Sequence, residues 1–145
     1  MLYNCYLKKG EVYVPAVAKV ETGGYMNIEP VAVVPASNTE ALRRAFFDIA
    51  AHGNPVVPPP KRTDRVPLVV PKYAGAKTWS AFQRGASSWS IKEHDGNYEI
   101  VGYRTHRQGY WEEDPEQRTT FPPGATVTDV IDRMVAILQD AATQK

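Results

Sequence analysis

SSWSIKEHDGNYEIVGYR, residues 87–104, decides the fold class. Trp89, Ile91 and Glu93 alternate up to a His-Asp-Gly-Asn turn, and Tyr98, Ile100 and the Val101/Tyr103 pair alternate away from it. A period of two on either side of Asp95-Gly96 predicts a β-hairpin, because that dipeptide tolerates the positive φ angles of a tight turn. The hairpin also sits inside an aromatic concentration: all three tryptophans and seven of the fifteen aromatic residues fall between Trp79 and Trp111. Only half the side chains of a strand can face one helical layer. Trp89, Tyr98, Tyr103, Tyr110 and Trp111 therefore cannot all be core unless both sheet faces are covered. We expect Trp89, Ile91 and Ile100 to be buried, and Tyr110 and Trp111 to be partly exposed.

Working outward, a further turn at Arg107-Gln108-Gly109 leads into YWEEDPEQRTTF, so that two or three strands are expected in this half of the chain. PPGATVTDVIDRMVAILQDA (122–141) then predicts a helix over 126–142, with Thr126 as cap and Asp129 three residues on. Its apolar face is Val127, Val130, Ile131, Met134, Ile137, Leu138 and Ala141. Upstream of the hairpin, Trp79 and Phe82 are three apart in a short helical turn from Thr78 to Gly85. Before that, PVVPPPKRTDRVPLVVP (55–71) holds six of the twelve prolines. Missing amide donors forbid a central strand or helix there, so the segment is expected to be a stiff connector, cut first near Lys61, Arg62 or Arg65 if it is loose.

The first third of the chain repeats the same logic. Tyr3, Cys5 and Leu7 alternate, KKGE turns, and Val12 and Val14 resume the alternation, while YMNIEPVAVV (25–34) predicts either an edge strand or two short strands because of Pro30. A helix is expected over 37–52, capped by Ser37 or Asn38 with Glu40 in the first turn, striped by Leu42, Ala45, Phe46 and Ile49, and stopped by Gly53. Arg43, Arg44 and Asp48 fall on its other side. Strands, a Pro-bounded loop and an amphipathic helix thus occur twice, a β-β-β-α pattern that arises with or without duplication. The fold class is α+β: one domain, 1–145, with antiparallel strands and two main helices, its two sub-halves joined by the 55–71 connector.

Composition narrows the function. The formal charge is +1, with 17 basic and 16 acidic residues, so no whole-molecule field draws in nucleic acid, and none is expected as partner. Apolar runs reach four or five residues, far short of the ~20 that span a bilayer, so no membrane partner is expected. Cys5 stands alone, and LYNCYLKKG lacks the apolar core of a secretory signal, so a reducing cytoplasm is the expected compartment.

Catalytic equipment is sparse. His52, His94 and His106 show no zinc-ligand spacing with one another or with Cys5, and neither HDG nor HRQ carries the hydroxyl two places after histidine that paired-histidine phosphoesterases need. His52 fits a helix C-terminus. If one strand joins the turns holding His94 and His106, the two lie on the order of 30 Å apart and cannot share a proton. No nucleophile elbow, Walker loop or dinucleotide fingerprint occurs. Cys5 fits a buried small hydrophobe. No catalytic residue, cofactor or metal is expected.

What remains is a contact surface. RTHR (104–107) is basic and EEDPE (112–116) carries four acids in five residues, with Tyr110 and Trp111 between them. Such a charge segregation is usually a solvated loop. As a binding surface it comprises Tyr103, Arg104, His106, Arg107, Tyr110, Trp111, Glu112, Glu113, Asp114 and Glu116, with the aromatic residues as anchors and the acids steering toward a basic partner. The alternative is a small enzyme or ligand-binding domain whose pocket gathers Tyr103, Arg104, His106 and Glu112.

In size, single-domain α+β character, want of catalytic motifs and the block KTWSAFQRGASSWSIKEHDGNYEIVGYRTHRQGYWEEDP (77–115), the chain resembles the small cytosolic immunity proteins of bacterial contact-dependent growth-inhibition and other polymorphic toxin systems. The block spans about a quarter of the chain. The resemblance implies tight binding to a cognate toxin domain and no reaction. Immunity proteins that block nucleases are often strongly acidic; this chain is not, so the resemblance leaves the toxin's activity open.

Overall fold

The computed structural model describes residues 1–60 and 68–144. In chain order they form β1 (Leu2–Lys8), β2 (Glu11–Val20), β3 (Tyr25–Pro35), α1 (Thr39–His52), β4 (Val56–Val57), α2 (Val69–Tyr73), α3 (Trp79–Gln83), β5 (Ala86–His94), β6 (Asn97–Thr105), β7 (Trp111–Thr120) and α4 (Val127–Thr143). One sheet runs β3-β2-β1-β5-β6-β7 with every neighbour antiparallel, and β4 adds a parallel seventh strand against β2. The repeated β-β-β-α pattern is visible in this order. Two three-stranded meanders, each followed by a long helix, meet where β1 pairs with β5 from Leu2–Lys92 to Lys8–Ala86.

Local chemistry sets the turns and caps. Lys9-Gly10 and Asp95-Gly96 both take positive φ (52° and 79°, 53° and 81°), the two-residue geometry whose twist matches antiparallel strands. Asn38 caps α1 by accepting from the Ala41 amide at 3.1 Å. Thr126 and Asp129 form the reciprocal capping box of α4, at 3.2 and 2.9 Å. Of the two readings of Pro30 the edge strand holds: β3 is one continuous strand at the sheet edge rather than two short ones, and Glu29 and Pro30 bulge out between the pairs Pro15–Val31 and Ala16–Ile28.

The helices α1 and α4 lie on one face of the sheet. Leu42, Phe46, Ile49, Val130, Ile131, Met134 and Leu138 bury against Tyr3, Cys5, Leu7, Val12, Val14, Trp89, Ile91 and Ile100. Arg43 Nε meets Asp132 Oδ1 at 2.7 Å between the helices. β2 is buried almost throughout, as a strand covered on both faces must be.

The second face is covered from an unexpected source. Val70 of α2 and Phe82 of α3 bury against Tyr6 and Tyr13, with Val31, Ala76, Trp79 and Trp111 packed around them. The connector is thus partly docked and partly regular. Its β4 has two residues at the sheet margin, and Pro71 is the third residue of α2, inside the first turn where a helix leaves its amides unpaired anyway. The prolines exclude long elements, not short ones. Lys61, Arg62 and Arg65 lie outside the described residues.

β1 and β2 pair only from Tyr6–Tyr13 to Lys8–Glu11 and then splay apart. Asn54 closes the gap: its Oδ1 accepts from the Leu2 amide at 3.0 Å, and its Nδ2 donates to the Leu2 and Val17 carbonyls at 3.0 and 2.9 Å. Three backbone groups are satisfied by one side chain just past the end of α1.

Candidate partner-binding surface

The tip of the β6–β7 hairpin sits beside the second-face aromatic cluster. Tyr6 is the centre: Trp79 and Phe82 meet it edge-on at 5.6 and 5.7 Å, and Trp111 stacks on it at 5.8 Å. Trp79 also meets Trp111 edge-on at 5.8 Å. The aromatic concentration therefore divides. Trp89 and Tyr98 face the long helices, Trp79, Phe82 and Trp111 face the other way, and Tyr110 stands at the tip, 52% exposed.

Strand alternation divides the ten surface residues in the same manner. The register pairs Tyr103 with Glu113, Arg104 with Glu112 and Thr105 with Trp111. Tyr103, Trp111 and Glu113 lie on the second face, whereas Arg104, Glu112 and Asp114 cluster on the opposite side. His106, Arg107 and Tyr110 belong to the turn. There the His106 ring stacks on Tyr110 at 4.3 Å and 10°, its Nδ1 accepts from the Gln108 amide at 3.1 Å, and its own amide donates to the Tyr110 carbonyl at 2.7 Å. Glu116 and Arg107 are exposed. His94 sits at the other end of β6, beyond reach of His106.

Most of the acids are held by this chain's own cations. Glu112 accepts from Arg104 Nε at 3.0 Å; Glu113 pairs with Lys92 at 3.0 Å and Arg118 at 3.4 Å. Asp114 accepts from the Glu116 amide and Gln117 Nε2 at 3.0 and 2.9 Å, with Arg104 at 3.8 Å. These partners hold the Glu113 carboxyl below the usual range through the Lys92 hydrogen bond first, and that of Asp114 through Gln117 and then the Glu116 amide. Gln117 lies directly over Gly102, where a Cβ would come within 2.7 Å of it, so only glycine lets β7 fold down at this bulge.

A feature that the sequence did not announce is a hydrogen-bonded chain across the open part of the second face. Ser90 Oγ donates to Asn4 Oδ1 at 2.7 Å, which leaves the Tyr103 hydroxyl, 2.9 Å away, as donor to Ser90. Asn4 Nδ2 donates to Asn27 Oδ1 at 2.9 Å, and Asn27 Nδ2 donates to the Tyr6 hydroxyl at 2.8 Å. Burial pushes the Tyr6 phenol up to about 12, against the lowering effect of the Asn27 bond. The sequence signal was slight: Asn4 is the one polar residue among the apolar ones of β1 before Lys8, and Asn27 precedes Ile28 in β3. Beside this chain a cavity of about 320 Å³ is lined by Met1, Leu2, Tyr25, Lys92, His94 and Tyr103. Arg104 and Glu112 bind each other on the other side and His106 is at the tip, so Tyr103, Arg104, His106 and Glu112 do not converge on one pocket.

Cys5 is 1% exposed, and burial pushes its thiol up, away from the reactive thiolate. Among the described residues no group of three or more His, Cys, Asp or Glu is arranged to hold a metal ion. No described helix is long and apolar enough to cross a membrane.

No known protein family and no curated protein matches this sequence. Solved structures do. The chain is similar to a protein of unknown function from Neisseria meningitidis, with a TM-score of 0.65 and 13% identity over 97% of this chain and 93% of that one. It is similar in the same way to a chain of the CdiA-CT/CdiI toxin and immunity complex from Yersinia pseudotuberculosis, with a TM-score of 0.63 and 11% identity over 97% and 95%. At such identities the likeness is one of fold.

Proposed function

We propose that this chain is a protein-binding module: an immunity protein that neutralises a cognate bacterial toxin by holding it, with no reaction of its own. The observation that carries this reading is the likeness of fold, over nearly the full length of both chains, to a chain of a toxin and immunity complex. The β6–β7 hairpin supports it with an exposed aromatic residue at a turn rigidified by stacking, flanked by charge, which is the anatomy of an anchor with a polar rim. In this reading Tyr110 is the anchor, with Tyr103, Arg104, His106, Arg107, Glu112, Glu113, Asp114 and Glu116 around it. Trp111 serves two ends, since its ring also supports Tyr6 and Trp79.

The test is protection. Cells producing the toxin domain encoded next to this chain's gene should resume growth when the chain is co-produced, and the two proteins should co-purify as a stable complex. Tyr110→Ala should cost on the order of 2 kcal/mol of binding, read as faster dissociation with an unchanged melting curve. A chain that protects against none of the neighbouring toxin domains, or that turns over a small substrate through His106, refutes the reading.

A further inference from the structure

At the hairpin end of the molecule the cations outside ion pairs gather at the tip, while Glu116, the one acid of residues 112–116 outside an ion pair among the described residues, lies farther along β7. Glu112, Glu113 and Asp114 are bound by Arg104, Lys92 and Arg118. By contrast Lys9, Arg84 and Arg107 make no ion pair among the described residues. The fold gathers them at one end. Lys9 is in the β1–β2 turn, Arg84 ends α3, and Arg107 is in the β6–β7 turn. Two contacts tie these pieces together: Lys8 Nζ donates to the Ala81 and Phe82 carbonyls at 2.8 and 2.6 Å, and Gln83 Nε2 donates to the Gly109 carbonyl at 2.7 Å. Burial lowers the basicity of Lys8, and the nearby charges of Lys9 and Arg84 lower it further, as cations crowded at one end must. Against them stands Glu11, opposite Lys8 in the register. Between α3 and the turn lies a groove of about 310 Å³ lined by Ser80, Gln83, Arg84, Thr105 and Gly109. It combines a guanidinium, two hydroxyls and a side-chain amide, the donor set that receives a carboxylate.

We infer, resting on the protein-binding reading above, that this end docks an acidic protein surface, with an Asp or Glu side chain of the partner seated in the groove beside Arg84. Nucleic acid offers anions too, but the whole chain carries a formal charge of only +1, too little to hold a phosphate backbone, whereas a single carboxylate needs only the site beside Arg84.

The isotope-labelled full chain, titrated in an NMR spectrometer with decaglutamate, decalysine and a short single-stranded DNA, tests this directly. Decaglutamate should shift the amides of Lys9, Arg84, Thr105 and Gly109, and about 0.5 M salt, where screening acts within roughly 4 Å, should abolish the shifts. Lys9→Glu with Arg84→Glu should weaken that binding on the order of tenfold or more, with the rest of the spectrum unmoved to show an intact fold. Absence of those shifts overturns the inference. So does decalysine perturbing β7 instead, or DNA binding more tightly than decaglutamate. Should decaglutamate bind there while no toxin is neutralised, the docking chemistry stands and the immunity reading falls. Should the doubly reversed variant protect cells as well as the parent does, the immunity reading stands and this docking site falls.

Discussion

The two faces of the sheet are covered in different ways. On one, two long helices lay apolar stripes over alternate residues of β1, β2, β5 and β6, and the interface is apolar. On the other, two five-residue helices from a proline-bounded segment cover one end around Tyr6 and Tyr13, and the rest carries the chain Tyr103–Ser90–Asn4–Asn27–Tyr6 beside an open cavity. The first face is insulated from the surroundings. The second is only half closed, and the hairpin that borders it is where charge and aromatic surface come to the outside. The two faces of one sheet are thus closed to different degrees.

Four changes probe that division. Phe82→Ala should cost about 3–5 kcal/mol, because Phe82 is fully buried against Tyr6 and Tyr13 at the centre of the second-face cluster. Leu138→Ala should cost about 2–5 kcal/mol on the other face. Urea melts followed by both tryptophan fluorescence and far-ultraviolet dichroism measure each. If Phe82→Ala loses less than half a kcal/mol, on the order of thermal energy, the second face contributes no core and the division is false. Asn54→Ala should cost about 1–3 kcal/mol, since it strands buried backbone groups of Leu2 and Val17 where β1 and β2 splay, and hydrogen exchange at Leu2 should speed up.

The smallest effect is electrostatic. The Glu113 carboxyl is held below its ordinary value by Lys92, so its contribution is present above the unfolded carboxylate's value and is lost as pH falls through the lower folded value. The urea midpoint should therefore drop on acidification through the carboxylate range, and Glu113→Gln should make that drop shallower. An identical pH profile in the variant would mean that the Lys92–Glu113–Arg118 pairs have no bearing on stability. Half exposed as they are, their effect is a fraction of any core substitution.

The helix-covered face was legible because each of its elements declares itself locally. Leu42, Ala45, Phe46 and Ile49 recur at helical spacing between a cap and Gly53, and Thr126 with Asp129 opens α4 as the sequence predicts. The hairpin at Asp95-Gly96 needed only its alternation and its turn. The half-closed face was not legible, because nothing local says what covers Tyr6 and Tyr13. Its cover comes from Phe82, on the short helical turn that the sequence predicts at 78–85, and from Val70, in a segment whose prolines argue against regular structure. The same holds for the surface. Alternation alone puts Tyr103 and Arg104 on opposite sides, but that Lys92 neutralises Glu113 follows from the registers of β5 with β6 and β6 with β7, which no window of sequence contains.

The seam between β1 and β5 has a consequence in time. β1 and β2 can zip as soon as both are made, but the other edge of β1 pairs with residues 86–92, which are synthesised only after residues 9–85. At cellular elongation rates that interval is roughly 4 to 15 s, long compared with hairpin closure. For those seconds the nascent chain carries an unpartnered, largely apolar strand edge, and the burden of keeping it from other chains falls on whatever meets it at the ribosome.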